Sequence, residues 1–242
     1  MQFPLPNFVI SKAGRLSVVA GCLMMVAAGC QAAEEVYFTN FKGNQGPVPL
    51  DLKVYSAPSM TVELDGAGQL VFALTGEGAV GSAGAVYFEG DSAATTANLH
   101  NSRVTAILQF AGNFYRRGVV LRGQSFSPDL ADPNGYYACV YRSGEKDYLE
   151  ITKDPKGAKA TSLRRIELPM LENGRYHLVF EAIDDQLIAT LFDASGHVEI
   201  GHATAFDESY QAGLSGIRSY INSYNSNRHA LPAFSQFSIE KL

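Results

Sequence analysis

Apolar and polar residues alternate along most of this chain. "SRVTAILQFAG", "YHLVFEAI" and "QLIATLFD" place aliphatic or aromatic residues at every second position, and "DYLEITK" and "AFSQFSIEKL" do so over part of their length. That period of two belongs to strands with one buried face. "EVYFT", "GAVYF", "GVVLRG", "YYACVYR", "TSLRRIELP", "GHVEIGHATA" and "GLSGIRSY" are further β-branched and aromatic runs bounded by Gly, Asp, Asn or Pro. "TVELDGAGQLVFALT" reads as a hairpin whose "DGAG" tip supplies glycines for the turn. No long segment keeps a 3.6 period. A short helix is expected at most in "AATTANL" or "ESYQAG". Many strands with short connections predict an all-β sandwich or barrel of antiparallel sheets.

One segment tests the pattern. "YHLVFEAIDDQLIATLFDASGH" from Tyr176 holds a glutamate and two aspartates close together. With Asp184 and Asp185 as loop residues, Ile183 faces Gln186, Ala182 faces Leu187 and Phe180 faces Ala189. Tyr176, Leu178, Phe180 and Ala182 then line the core side, and His177, Val179, Glu181 and Ile183 the other. A glycosidase pair needs carboxyls about 5 Å or about 6.5–9.5 Å apart. The residue two beyond Glu181 is Ile183, so the acids read as a hairpin tip, where Asx side chains bond local backbone.

The N-terminus has a different character. Lys12 and Arg15 precede "LSVVAGCLMMVAAG", an apolar run of signal-peptide type and short of the roughly 20 residues that span a bilayer. Residues 1–30 are therefore expected to be a signal peptide, followed by a single domain over 34–242. Two exits are open: lipidation at Cys30 after "AAG", or ordinary cleavage near Ala32 or Ala33. Either implies export to the periplasm or cell surface of a bacterium, with membrane attachment only through an N-terminal lipid. Beyond the leader the single cysteine Cys139 cannot form an internal disulfide, and "YYACVY" sets it in a buried strand. The formal charge of −5 becomes more negative once Lys12 and Arg15 leave. No basic stripe appears, which excludes a nucleic-acid partner.

The order of these runs carries a likeness. "YRRGVVLRGQ" and "NGYYACVYRSGEKDYLEIT" precede the long hairpin with its acidic turn. Asp207, Tyr210, Gly213 and Gly216 then form a "D…Y..G..G" segment before the closing "FSQFSIEKL". Together they resemble the concanavalin A-like and laminin-G jelly-roll superfamily, and most the secreted bacterial domain named after 3-keto-disaccharide hydrolases. The likeness implies a two-sheet jelly-roll sandwich with one concave face and a carbohydrate-related function. Two readings follow: a carbohydrate-active domain that binds or hydrolyses a glycoside or 3-keto-disaccharide, or a non-catalytic lectin-like or adhesion module. The glucanase trio E-x-D-x-x-E is not matched by "EAIDDQ", and the lyase motifs are missing. No catalytic set carries over residue by residue.

Sugar sites need aromatic faces and polar side chains for hydroxyls. Twelve tyrosines and no tryptophan make tyrosine the expected platform. Tyr136 and Tyr137 alternate faces, so one is expected in the core. The candidate glycan contacts are Arg122, Glu150, Tyr220, Asn222, Tyr224, Arg228 and His229. Arg122 ends the apolar run "GVVL", where a lone guanidinium would be costly; an Arg–Glu pair tying strands is the plainer reading. His177 and Glu181 are the candidate acid–base residues if the protein is an enzyme. Asp129, Asp132 and Asn134 in "DLADPNG" offer hard oxygen ligands for calcium, or cap turn amides instead. No other cofactor is expected.

Overall fold

The computed structural model describes residues 33–75, 82–88, 99–112, 115–124, 134–155, 157–221 and 231–242. Its strands are β1 (Glu34–Thr39), β2 (Gln45–Gly46), β3 (Leu52–Ser56), β4 (Met60–Asp65), β5 (Leu70–Leu74), β6 (Ser82–Phe88), β7 (Ser102–Phe110) and β8 (Tyr115–Gly123). There follow β9 (Gly135–Ser143), β10 (Lys146–Asp154), β11 (Thr161–Leu168), β12 (Gly174–Ile183), β13 (Gln186–Phe192), β14 (Glu199–Phe206), β15 (Leu214–Ile221) and β16 (Ala233–Lys241). All pairings are antiparallel. One sheet runs β14–β13–β12–β7–β16–β5–β4–β2, with β1 also on β16; the second runs β11–β10–β9–β8–β15–β6–β3. The all-β sandwich is thus as expected. The "ESYQAG" segment forms no helix.

The main core lies between the sheets. Phe110, Leu178, Phe180 and Leu191 from the first meet Tyr115, Leu121, Tyr136 and Leu149 from the second. Phe180 is fully buried, a contribution of about 1.5–3 kcal/mol. The β12–β13 hairpin keeps the register read from its sequence: Phe180 faces Ala189, Ala182 faces Leu187 and Ile183 faces Gln186. Asp184 takes a left-handed φ of 52° at the tip, a conformation Asp tolerates in turns.

Alternation gives the second sheet two buried sides. Ala83, Ala85, Tyr87, Val120, Tyr137, Cys139 and Tyr141 form a separate apolar cluster on its outer face. Tyr136 and Tyr137 alternate as expected: Tyr136 joins the core between the sheets, and Tyr137, also buried, joins this outer cluster. Gly216 is small for a reason: the Tyr87 ring lies where its Cβ would stand.

Bulges depart from ideal pairing. Between β8 and β15, Val120 faces Gly216 but Gly123 faces Leu214, so β8 carries an extra residue at Leu121–Arg122. Arg122 has φ 54° there. On β16, Phe234 faces Leu108 and Gln236 faces Ile107, which leaves Ser235 as the extra residue. Such insertions bend the strand and re-aim side chains.

Candidate functional site

Among the described residues, the outer face of the second sheet carries a dense polar–aromatic arrangement. Adjacent strands β11, β10, β9 and β8 contribute Arg165, Tyr148, Tyr141 and Arg116 to one continuous strip. The Arg165 guanidinium lies 5.2 Å from the Tyr148 ring centre. Tyr148 and Tyr141 stack at 5.5 Å with planes 30° apart. Arg116 then sits 4.5 Å from the Tyr141 ring. Cation–π contacts of this kind are worth about 0.5–2 kcal/mol each. Tyr220 of β15 faces Arg116 across the ladder and extends the row.

Behind the strip the charges are paired. Arg116 meets Glu150 at 3.2 Å, and Arg218 is in close contact with Asp154. Arg218 also lies 4.9 Å from the Tyr137 ring, and Tyr137 donates its hydroxyl to the Arg218 carbonyl at 3.1 Å. Burial works against the Arg116 charge, but Glu150 and neighbouring groups outweigh it and hold the guanidinium above its ordinary value. Burial also pushes the Tyr141 hydroxyl up to about 12 and the Cys139 thiol up to about 12. Cys139 is therefore an inert packing residue beneath the strip, as its setting suggested. Tyr148 and Tyr220 are half-buried and Arg165 is exposed, so the strip reaches solvent.

The residues selected from sequence do not converge. Glu150 and Tyr220 belong to this face. Arg122 does not: the β8 bulge turns it toward the end of the sandwich. There it donates to the His100 carbonyl at 3.1 and 2.6 Å and to the Tyr210 carbonyl at 3.1 Å. Backbone oxygens replace the expected carboxylate partner. His177 and Glu181 lie on the outer face of the other sheet. Glu181 pairs with Arg103 at 2.7 Å, and Arg103 reaches Glu240 at 2.7 Å, tying β12, β7 and β16 together. His177 packs against Gly196. His177 and Glu181 are four residues apart on one strand, about 13 Å. Asn222, Tyr224, Arg228 and His229 lie outside the described residues, as do Asp129, Asp132 and Cys30.

Of the calcium candidates Asn134 alone is described, and its side-chain oxygen accepts from the Tyr210 hydroxyl at 3.0 Å. No group of three His, Cys, Asp or Glu suited to a metal occurs among the described residues. Those residues do not assemble a calcium-ligating set.

Sequence reasoning passed over Tyr141, Tyr148, Arg165 and Arg218. The signal was the parity of "YYACVYR", "DYLEITKD" and "SGIRSY". These place Tyr137, Cys139 and Tyr141, then Tyr148, Glu150, Thr152 and Asp154, then Gly216, Arg218 and Tyr220, on one side.

No family model and no curated protein matches the sequence. Solved structures do resemble the fold. The VIP36 exoplasmic/lumenal domain in its Ca2+/Man-bound form is 9% identical, covers 84% of this chain and 88% of its own, and gives a TM-score of 0.58. The CBM2 module of the Lactobacillus casei BL23 phage J-1 evolved Dit is 14% identical over 86% of this chain and 96% of its own, with a TM-score of 0.55. A legume lectin-like domain from Entamoeba histolytica is 11% identical over 79% and 90%, with a TM-score of 0.54. The fold is therefore a lectin-like jelly roll of the concanavalin A-like type.

Proposed function

We propose that this chain is an exported glycan-binding module that uses the outer face of the second sheet. The observation that carries the reading is the Arg165–Tyr148–Tyr141–Arg116 strip. The half-buried Tyr148 and Tyr220 offer ring edges and hydroxyls to a sugar, and the exposed Arg165 guanidinium offers donors to its hydroxyls. The VIP36 domain was solved with mannose bound, which agrees with sugar recognition on this kind of sandwich. Binding is favoured over cleavage because the acids of this face, Glu150 and Asp154, are each held by an arginine. Their positions on one strand set them about 13 Å apart, beyond either glycosidase spacing. The 3-keto-disaccharide hydrolase reading is the alternative. Export rests on the leader, and lipidation at Cys30 would add a diacylglyceryl mass to the exported protein.

The test is a glycan array on the purified domain, followed by calorimetry with each hit and an assay for new reducing ends. Tyr148→Ala should weaken binding about tenfold, the loss expected for one aromatic contact. New reducing ends that disappear in Glu181→Gln or His177→Ala would replace this reading with the hydrolytic one. Absence of any glycan hit would remove both.

A further inference from the structure

The opposite side of the molecule holds a separate cleft of about 270 Å³, lined by Phe38, Asn40, Lys42, Gln69, Ile107, Arg175, Ser235 and Gln236 together with the Ala67–Gly68 backbone. Its origin is topological. β1 and β5 share the same edge of β16: Thr39 faces Phe237, and Leu70 faces Phe234. Between these pairings Ser235 and Gln236 have no partner residue on that side, and Ser235 is also the bulged residue toward β7. The sheet is thus interrupted in its middle, and strand-edge groups of β16 face the gap. Its rim is fixed. The Asp65 carboxylate accepts from the Ala67 and Gln69 backbone at 2.7 and 3.0 Å. Asn40 accepts from the Lys42 backbone at 3.2 Å. Gly68 holds φ +86° against the Lys42 stem, where a side chain would be strained.

The cleft carries two exposed cations. Lys42 and Arg175 line the cleft with no Asp or Glu among its lining residues. The nearest carboxylate, Asp65, stands at the rim with one oxygen held by the Ala67 and Gln69 amides, so the two cations outnumber it there. Around the two cations stand three side-chain amides and a hydroxyl, with the exposed ring of Phe38 at the edge. Such a set suits one negative charge among many hydroxyls. The volume equals about nine waters, enough for one sugar ring.

We propose that this cleft binds an acidic saccharide through its carboxylate, with Arg175 and Lys42 taking the charge and the Phe38 ring taking a sugar face. The proposal stands on residues other than the tyrosine strip, so either can fail without the other. The probe is tri-galacturonate, with its methyl ester as the uncharged counterpart, titrated by calorimetry into the full domain. Arg175→Gln and Lys42→Gln change exposed side chains and should leave the melting temperature unchanged. Each should raise the dissociation constant for the acid about tenfold, and Tyr148→Ala should not. The methyl ester should bind at least tenfold more weakly than the acid, and added salt should weaken only the acid. Equal affinity of acid and ester, unchanged binding in both cleft variants, or a loss that follows Tyr148→Ala would each overturn the proposal. Sodium sulfate binding as tightly as tri-galacturonate would overturn its saccharide part.

Discussion

Arg122 shows what one residue's parity can and cannot tell. Its position after "GVVL" marked it as an expensive cation needing partners, and that much holds. The partners are carbonyls of His100 and Tyr210, reached because an extra residue in β8 and a left-handed φ turn the side chain off the sheet face. A bulge leaves no pattern in a single sequence, so the destination was illegible while the need was not. Arg122→Lys keeps the charge but loses the planar fork that spans two carbonyls. We expect a loss of about 1–3 kcal/mol in urea unfolding, from buried carbonyls left with poorer donors, and glycan affinity unchanged. A drop in affinity at unaltered stability would return Arg122 to the binding site.

At the scale of elements, the β12–β13 hairpin was readable to the residue because its core side is uniformly apolar and its two-residue tip is acidic. The "D…Y..G..G" segment was recognisable but its purpose was not. It proves to be a clamp between strands. Asp207 accepts from Tyr136 and Lys153, both at 2.7 Å, and from the Ser209 backbone at 2.9 Å. The Tyr210 ring packs on Tyr136 at 5.2 Å. Burial alone would raise the Asp207 pKa, but the bonds from Lys153, Ser209 and Tyr136 outweigh it and hold the carboxyl well below its ordinary range. A carboxylate depressed on folding stabilises the protein above its unfolded pKa, near 3.9, and the benefit fades as pH falls from there toward the folded value. Asp207→Asn should therefore cost about 1 kcal/mol at pH 7, with the gap to wild type closing below about pH 4. Parallel stability curves across that range would show that the carboxylate charge contributes nothing.

For the whole molecule, the all-β class followed from period and punctuation, whereas strand order did not. Pairing β16 with β7 on one side, and with both β1 and β5 on the other, needs contacts far apart in sequence that local pattern does not encode. The same distance hid both surfaces of interest. The tyrosine strip draws on four strands, and the cationic cleft on the ends of several. The two-residue β2 and the short, mostly half-buried or exposed β3 carried too little alternation to be seen.

The pairing of β1 with β16 has one more consequence. Glu34 stands opposite Lys241, so the first and last described strands meet with their Cα atoms about 5 Å apart. In a domain cut to residues 34–242, a linker of a few residues could join Glu34 to the C-terminus, and new ends could be opened at Gly144, on the exposed tip between β9 and β10. Such a circular permutant should keep its far-ultraviolet spectrum and a single cooperative melt. Collapse of that rearranged chain would mean that the β9–β10 ribbon must be laid down uninterrupted for the rest to assemble around it.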